Sequence, residues 1–314
     1  MSARGARVTL LDPAGAPGEH ACSWWAGGML APECEGASTE PEIVCQGRLA
    51  AEWWAGQGAA VARNGTLVVA LGRDRGELRA FARRAPSAQW LDRDGIAALE
   101  PHVAERFSRA LFIAGEAHLD PRAALAGLHD RLAARGVCFA APDQDRVMQD
   151  RAIEGRVIDC RGLAARDVLP DLRGVKGEML VARCPEVTLK RPVRLLHPRF
   201  PLYIVPRGEG VFMLGATQIE SGERRRASLR SLMELMNTAY ALHPAFGEAQ
   251  LLEIGVDARP AFADNQPRIR RIGERIYANG LFRHGFLLAP ALARMTADWL
   301  LDGKTPEVWY EDHS

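Results

Sequence analysis

Short apolar runs alternate with amphipathic stretches from the first residues onward. Arg7-Val8-Thr9-Leu10-Leu11-Asp12 is an apolar run closed by a carboxylate and followed by Pro13, Gly15, Pro17 and Gly18, which predicts a buried strand feeding a loop. From Glu40 to about Arg63, the apolar residues Ile43, Val44, Leu49, Trp53 and Trp54 recur at helical spacing between charges and predict one amphipathic helix. Thr66 to Leu71 is rich in β-formers, Asp74 to Arg84 predicts an exposed helix, and Asp92 to Glu100 ahead of Pro101 a short capped one. After Asp120-Pro121, an alanine- and leucine-rich stretch to about Arg135 predicts a helix, and Gly136 to Phe139 starts the next strand, which together make half of a βαβ unit.

Further along, Arg156 to Gly162 predicts a strand that runs into a glycine. Met179 to Ala182, Leu202 to Val205 and Val211 to Gly215 follow closely with turn residues between them, which favours antiparallel pairing. Ser228 to Leu242 predicts a helix, Leu251 to Val256 and Ile276 to Ala278 strands, and Pro290 to Leu301 a closing helix. The chain therefore reads as α/β with a change of sheet type midway. No internal repeat, low-complexity tract or linker divides it, so two domains are expected to interleave.

The chain has 314 residues, 47% hydrophobic and 25% charged, enough for one large or two interlocked domains. Forty basic and thirty-nine acidic residues leave a net charge of +1, which supplies no field for nucleic acid or an anionic membrane and suits a small neutral or zwitterionic ligand. The cysteines Cys22, Cys34, Cys45, Cys138, Cys160 and Cys184 form no CxxC pair, and His197 and His284 have no partners at zinc spacing. Reduced thiols, no metal and no disulfide framework are expected. No stretch approaches the roughly 20 apolar residues of a membrane span and the first residues lack an apolar signal core, so a cytoplasmic protein is expected.

Four segments carry candidate chemistry. Asp12 at a strand end has the position of a ribose-binding carboxylate, or of a simple turn residue. In Cys22-Ser23-Trp24-Trp25-Ala26-Gly27-Gly28-Met29-Leu30-Ala31-Pro32, a serine and paired glycines allow backbone to approach an anion, or make a glycine-rich turn. Leu202-Tyr203-Ile204-Val205-Pro206-Arg207 puts a phenol on one face of a strand, facing a pocket or satisfied in the core. Arg259-Pro260 and Gly280-Leu281-Phe282-Arg283-His284-Gly285-Phe286-Leu287-Leu288-Ala289-Pro290 set arginines among apolar residues. A buried guanidinium needs an anion: a ligand carboxylate held by two bonds, or a buried aspartate or glutamate of the protein.

In their order along nearly the whole chain, these segments resemble the glycine oxidase branch of the D-amino-acid oxidase family. The resemblance implies a Rossmann-like FAD-binding domain of glutathione-reductase type, interleaved with an antiparallel-sheet substrate domain. The corresponding ranges are 1–65, 121–177 and 258–314 for the first and 66–120 and 178–257 for the second. It implies that Tyr203, Arg259 and Arg283 face an amino-acid substrate, with Arg283 binding the carboxylate. It further implies that Asp12 meets the adenosine ribose, that Ser23, Trp24, Gly28, Met29 and Leu281, Phe282, His284, Gly285, Phe286 and Leu287 line the flavin, and that Val147 contacts adenine. The chain opens just past the point where the family's strand, GxGxxG turn and helix stand; their loss takes away a pyrophosphate cradle and a central strand. Dioxygen is the implied electron acceptor, thiamine thiazole synthesis the implied pathway, and a homo-oligomer the implied assembly. The adjacent Trp24 and Trp25 are bulkier than the family's alanines. A sarcosine-, proline- or D-amino-acid-oxidising relative, a dehydrogenase, or an inactive chain without flavin would share the same fold.

Overall fold

The computed structural model describes residues 1–141, 155–199 and 201–313. The chain opens with β1 (Thr9–Leu11) and β2 (Met29–Leu30), followed by the short helices α1 (Pro32–Gly36), α2 (Pro41–Gly47) and α3 (Ala50–Gly56). The single helix expected from Glu40 to about Arg63 is thus two, ended by Gly56. Gly47 closes the first because it lies against Leu287, where an added Cβ would come within 2.8 Å of the leucine side chain. β3 (Thr66–Ala70), α4 (Arg75–Arg84), β4 (Gln89–Asp92), α5 (Arg93–Leu99), α6 (Pro101–Ala104), β5 (Arg109–Ile113) and β6 (Ala117–His118) follow. Asp92 caps α5 by accepting from the Gly95 N–H at 2.9 Å, as its sequence position predicts.

α7 (Pro121–Ala134) begins with Pro121 at its first turn and Asp120 accepting from the Ala123 N–H at 2.8 Å. It leads to β7 (Cys138–Ala140), which pairs in parallel with β1. β8 (Ile158–Asp159) is shorter than the strand expected from Arg156 to Gly162, because the following turn enters a 3-10 helix. β9 (Arg173–Arg183), β10 (Val193–Leu196), β11 (Leu202–Gly208), β12 (Val211–Gly215) and β13 (Ile219–Glu220) precede α8 (Leu229–Leu242), which Ser228 caps. The long β14 (Gln250–Ala261), β15 (Arg268–Ile272), β16 (Arg275–Asn279), α9 (Gly285–Asp302) and β17 (Tyr310–His313) complete the order.

A nine-stranded sheet runs β13-β9-β12-β11-β10-β3-β5-β4, with β14 also on β9. β9, β12 and β11 are antiparallel, as their close spacing predicts, and only β10 with β3 is parallel. Under it, α8 and α5 bury Leu67, Leu180, Ile204, Phe212 and Leu235. A second layer packs α3 and α9 against the β17-β15-β16-β8 sheet through Trp54, Ile269, Ile276, Phe286 and Leu288. The seams expected at 177/178 and 257/258 fall inside β9 and β14, two strands that run as one pair from the large sheet towards the second layer.

The closing helix starts five residues earlier than Pro290 suggests. A proline there cannot donate to the Phe286 carbonyl four residues back. The Trp54 indole N–H donates to that carbonyl instead, at 2.8 Å, so Pro290 is held inside α9 without an orphaned acceptor.

Candidate active site

Tyr203 on β11 lies between two glycines. An added Cβ at Gly27 would come within 3.0 Å of its ring and one at Gly215 within 3.3 Å, so both positions admit only hydrogen if the ring is to sit there. Gly27 is held in place by Arg207, whose guanidinium donates to the carbonyls of Gly27, Ala26 and Leu119 at 2.9, 3.3 and 3.0 Å. Burial brings the Arg207 pKa down to about 10, against the pull of Asp120. The arginine that ends the Tyr-Ile-Val-Pro-Arg run thus organises the loop facing the tyrosine. Burial raises the Tyr203 pKa, and Arg259, Arg194 and Arg283 act against it. The phenol is a neutral donor at physiological pH.

Arg259 on β14 points into the same interior. Its guanidinium lies over Gly177 of β9, where a Cβ would stand 2.3 Å from Nη2, and its Nη1 donates to the Thr217 carbonyl at 3.0 Å. Among the described residues it has no carboxylate within ion-pair distance. Burial lowers its pKa, yet an arginine remains charged. A buried cation bonded only to a carbonyl suits an anionic ligand.

Arg283 is differently placed. Its Nη2 meets Glu35 Oε2 at 2.8 Å and Ser38 Oγ at 2.8 Å, so the protein-carboxylate alternative is realised for this residue. Glu35, in α1, also receives His284 Nε2 at 3.0 Å and, on Oε1, Arg194 Nη1 at 3.3 Å. Burial alone pushes the Glu35 carboxyl up, but Arg283, Arg194 and His284 together hold it well below the usual carboxylate range. Glu35 and Arg194 were not singled out by the sequence. Their only signal is the Glu33 and Glu35 pair directly after Gly-Met-Leu-Ala-Pro. Close behind them, Glu116 accepts from the Cys34 N–H at 2.7 Å, and burial raises its pKa. Phe282, Arg283 and His284 line a cleft of about 320 Å³ that reaches Ser38, Gln218 and Gln266.

The remaining sequence candidates divide. Gly28, at φ +69°, is explained by the chain itself: a Cβ there would stand 2.2 Å from the Leu119 carbonyl. Met29 follows in β2, paired with His118. Ser23 and Trp24 lie in a 3-10 turn; Arg122 stacks on Trp24 at 4.9 Å and the Trp24 indole nitrogen is buried without a partner among the described residues. Trp25 covers Gly255, so this bulk packs on β14. Asp12 accepts from the Ala14 N–H at 2.9 Å and faces His20 Nε2, a turn-capping geometry. Phe286 and Leu287 are core side chains, and Leu281 packs beside them. Val147 lies outside the described residues.

The start of α9 suits an anionic or polar group. The helix has no side-chain cap, a Cβ at Gly285 would meet open space, and His284 Nδ1 is buried without a partner among the described residues. The first amides of α9 stand at the positive end of the helix dipole, where an anionic or polar group is favoured. These features fit a flavin's polar edge. No helix of the described residues is long and apolar enough to cross a membrane.

A model of the FAD-dependent oxidoreductase family matches residues 1–299. A putative thiamine biosynthesis oxidoreductase ThiO of Rhizobium etli is 54% identical over 95% of this chain and 90% of its own length. A glycine oxidase of Bacillus licheniformis is 28% identical over 72% of this chain and 66% of its own. Among solved structures, glycine oxidase from Geobacillus kaustophilus superposes with TM-score 0.78 at 23% identity, covering 97% of this chain and 90% of that one. Iminodiacetate oxidase from Chelativorans sp. BNC1 gives 0.80 at 21% identity, over 100% and 95%. With the interleaved α/β fold, the buried arginines and the uncapped start of the last helix, these matches have one meaning: the chain belongs to the FAD-dependent oxidoreductase family.

Proposed function

We propose that this protein oxidises glycine, or a similarly small amino acid, with FAD and dioxygen, supplying the imine for thiamine thiazole synthesis. The observation that carries this reading is the buried cluster of Tyr203 and Arg259, with Arg283 at its border, where one guanidinium has no carboxylate partner among the described residues. The 54% identity to a putative thiamine biosynthesis oxidoreductase supports the same assignment.

Arg259 and Tyr203 hold the substrate carboxylate, a planar fork and a phenol O–H each donating to it. Arg283, balanced by Glu35, borders the carboxylate and limits how much positive charge the pocket exposes. This division shifts the main carboxylate clamp from Arg283, expected from the motif, towards Arg259. When bound there, FAD would supply the two-electron acceptor for the α-hydrogen and its electron pair. The first amides of α9 and the Gly27–Met29 backbone are the groups that would hold the flavin, and Asp12, at the end of β1, would serve its ribose only by leaving its contacts with Ala14 and His20. Positioning the α-carbon is the protein's main contribution, and no side-chain base is required when the amine is neutral. Overall, glycine loses two electrons and two protons to give an imine, dioxygen takes both to give hydrogen peroxide, and water hydrolyses any released imine.

The test is peroxide production by the FAD-loaded protein offered glycine, sarcosine, proline and D-alanine. Turnover of glycine with a KM that rises steeply in Arg259→Ala supports the reading. A flavin-loaded protein that releases no peroxide from glycine overturns it.

A further inference from the structure

We propose that Thr217, backed by the buried Glu178–Lys176 ion pair, positions the Arg259 guanidinium. The consequence for substrate rests on Arg259 being the carboxylate clamp. The sheet is irregular at this point. β12 leaves β9 with Gly215 opposite Met179, and β13 rejoins it with Ile219 opposite Lys176. Three residues, Ala216 to Gln218, therefore stand against two of β9, Gly177 and Glu178. An extra residue of this kind bends its strand and re-aims the groups around it.

The bulge lets the polar groups of Thr217 serve opposite faces of the sheet. Alternation along β9 puts Val175, Gly177 and Met179 on one face and Lys176, Glu178 and Leu180 on the other. Arg259 lies on the first face, over Gly177, and donates to the Thr217 carbonyl at 3.0 Å. On the second face, the Thr217 hydroxyl accepts from the Glu178 N–H at 2.9 Å and donates to Glu178 Oε2 at 3.2 Å. The Thr217 N–H also donates to the Glu178 carbonyl, at 3.1 Å. Three bonds to one residue fix Thr217, and the carbonyl that Arg259 meets is fixed with it.

Glu178 is itself anchored. It is 0% exposed, and its other oxygen, Oε1, pairs with Lys176 Nζ at 2.8 Å and accepts from the Ser228 N–H at 2.9 Å. Lys176, 7% exposed, also donates to the Arg226 carbonyl. A carboxylate and an ammonium this far from water hold each other in one geometry, because leaving either unpaired is strongly unfavourable. Among the described residues, the Thr217 carbonyl is the only hydrogen-bond partner of the Arg259 guanidinium, so its placement decides where the free edge of that cation points.

The test reads Arg259 directly and through turnover. In heteronuclear NMR of the nitrogen-labelled, FAD-loaded chain, the Arg259 Nε–H is identified by its loss in Arg259→Ala. Its exchange with water is expected to be about tenfold faster in Thr217→Val than in the wild type, with unchanged far-ultraviolet circular dichroism, and restored in Thr217→Ser. The glycine KM is expected to rise about tenfold in Thr217→Val, with kcat within about twofold, and to return in Thr217→Ser. Glu178→Gln, which keeps the shape and removes the charge, is expected to move both readouts the same way. Thr238→Val removes another buried hydroxyl, one bonded to the Glu234 carbonyl within α8, and is expected to move neither. Wild-type exchange in Thr217→Val overturns the proposal, as does a defect that serine does not rescue. A wild-type glycine KM in Arg259→Ala overturns the carboxylate reading instead, and the exchange rate still decides whether Thr217 places the guanidinium.

Discussion

Glu35→Gln isolates the charge at the border of the site. The substitution keeps the shape of the side chain but faces Arg283, Arg194 and His284 with a neutral amide. Glu35 Oε2 receives two short bonds, and hydrogen bonds to charged groups contribute about 1.5–3 kcal/mol each, against a large desolvation cost of the carboxylate. Breaking a buried ion pair from one side costs about 3–5 kcal/mol. The amide keeps some contacts, so a loss of about 3 kcal/mol is expected, or roughly 4–5 °C in thermal midpoint for a chain of this size. The pH dependence adds a second constraint. Glu35 stays ionised in the folded chain below the pH of about 4.3 at which it takes up a proton when unfolded. Its stabilisation is therefore complete above that pH and fades as the pH falls below it towards the folded value. The assay is thermal and urea unfolding of both proteins at pH 7.5 and at pH 4 and below, with an Arg283→Ala double-mutant cycle. A midpoint within about 1 °C of wild type at pH 7.5, or a cycle with no coupling, would refute the argument that Glu35 ties Arg283 to α1.

Other predictions follow the same geometry. Arg259→Ala is expected to raise the glycine KM by about 100-fold or more, the loss of ~3 kcal/mol for a bidentate charged contact, while Tyr203→Phe raises it about tenfold; steady-state kinetics under oxygen decide both. His118, whose pKa burial and then Arg207 lower to about 4, is expected to stay neutral at pH 5.5 in ring NMR spectra. Because the unfolded histidine protonates near 6.5, the His118 contribution is complete above that pH and lost between about 6.5 and 4, and His118→Gln should flatten that part of the stability profile. Gly177→Ala is expected to displace the Arg259 guanidinium and reproduce the KM defect without removing the arginine.

The legible parts of the sequence were those with local causes. Helix α8 has an apolar period and a serine cap, α7 has Asp120-Pro121, and the β9, β12 and β11 strands are separated by short turns. Whereas the residues alone left Tyr203 open between a pocket and the core, the need of Arg259 and Arg283 for an anion was legible, because a guanidinium among apolar residues demands one. Glu35 was not, since its partners stand 159, 248 and 249 residues away and no spacing encodes such a contact. The strands β15 and β17 were hidden for a related reason. Arg268 and Arg270 interrupt the apolar pattern, and their charge is compatible with a sheet because Glu311 on the neighbouring strand bonds to both while Asp264 and Asp171 each take one. The break between α2 and α3 depends on Leu287 pressing against Gly47, a packing constraint invisible in the helical period.

The bond from Trp54 to the Phe286 carbonyl joins residues 232 positions apart, at the point where the last helix begins. Its indole proton is therefore a natural reporter of whether that helix is seated. In a protected amide and indole spectrum, slow exchange at Trp54 reads the integrity of the helix start from a site far along the chain, and a variant that loosens the helix should release that proton before the rest of the second layer unfolds.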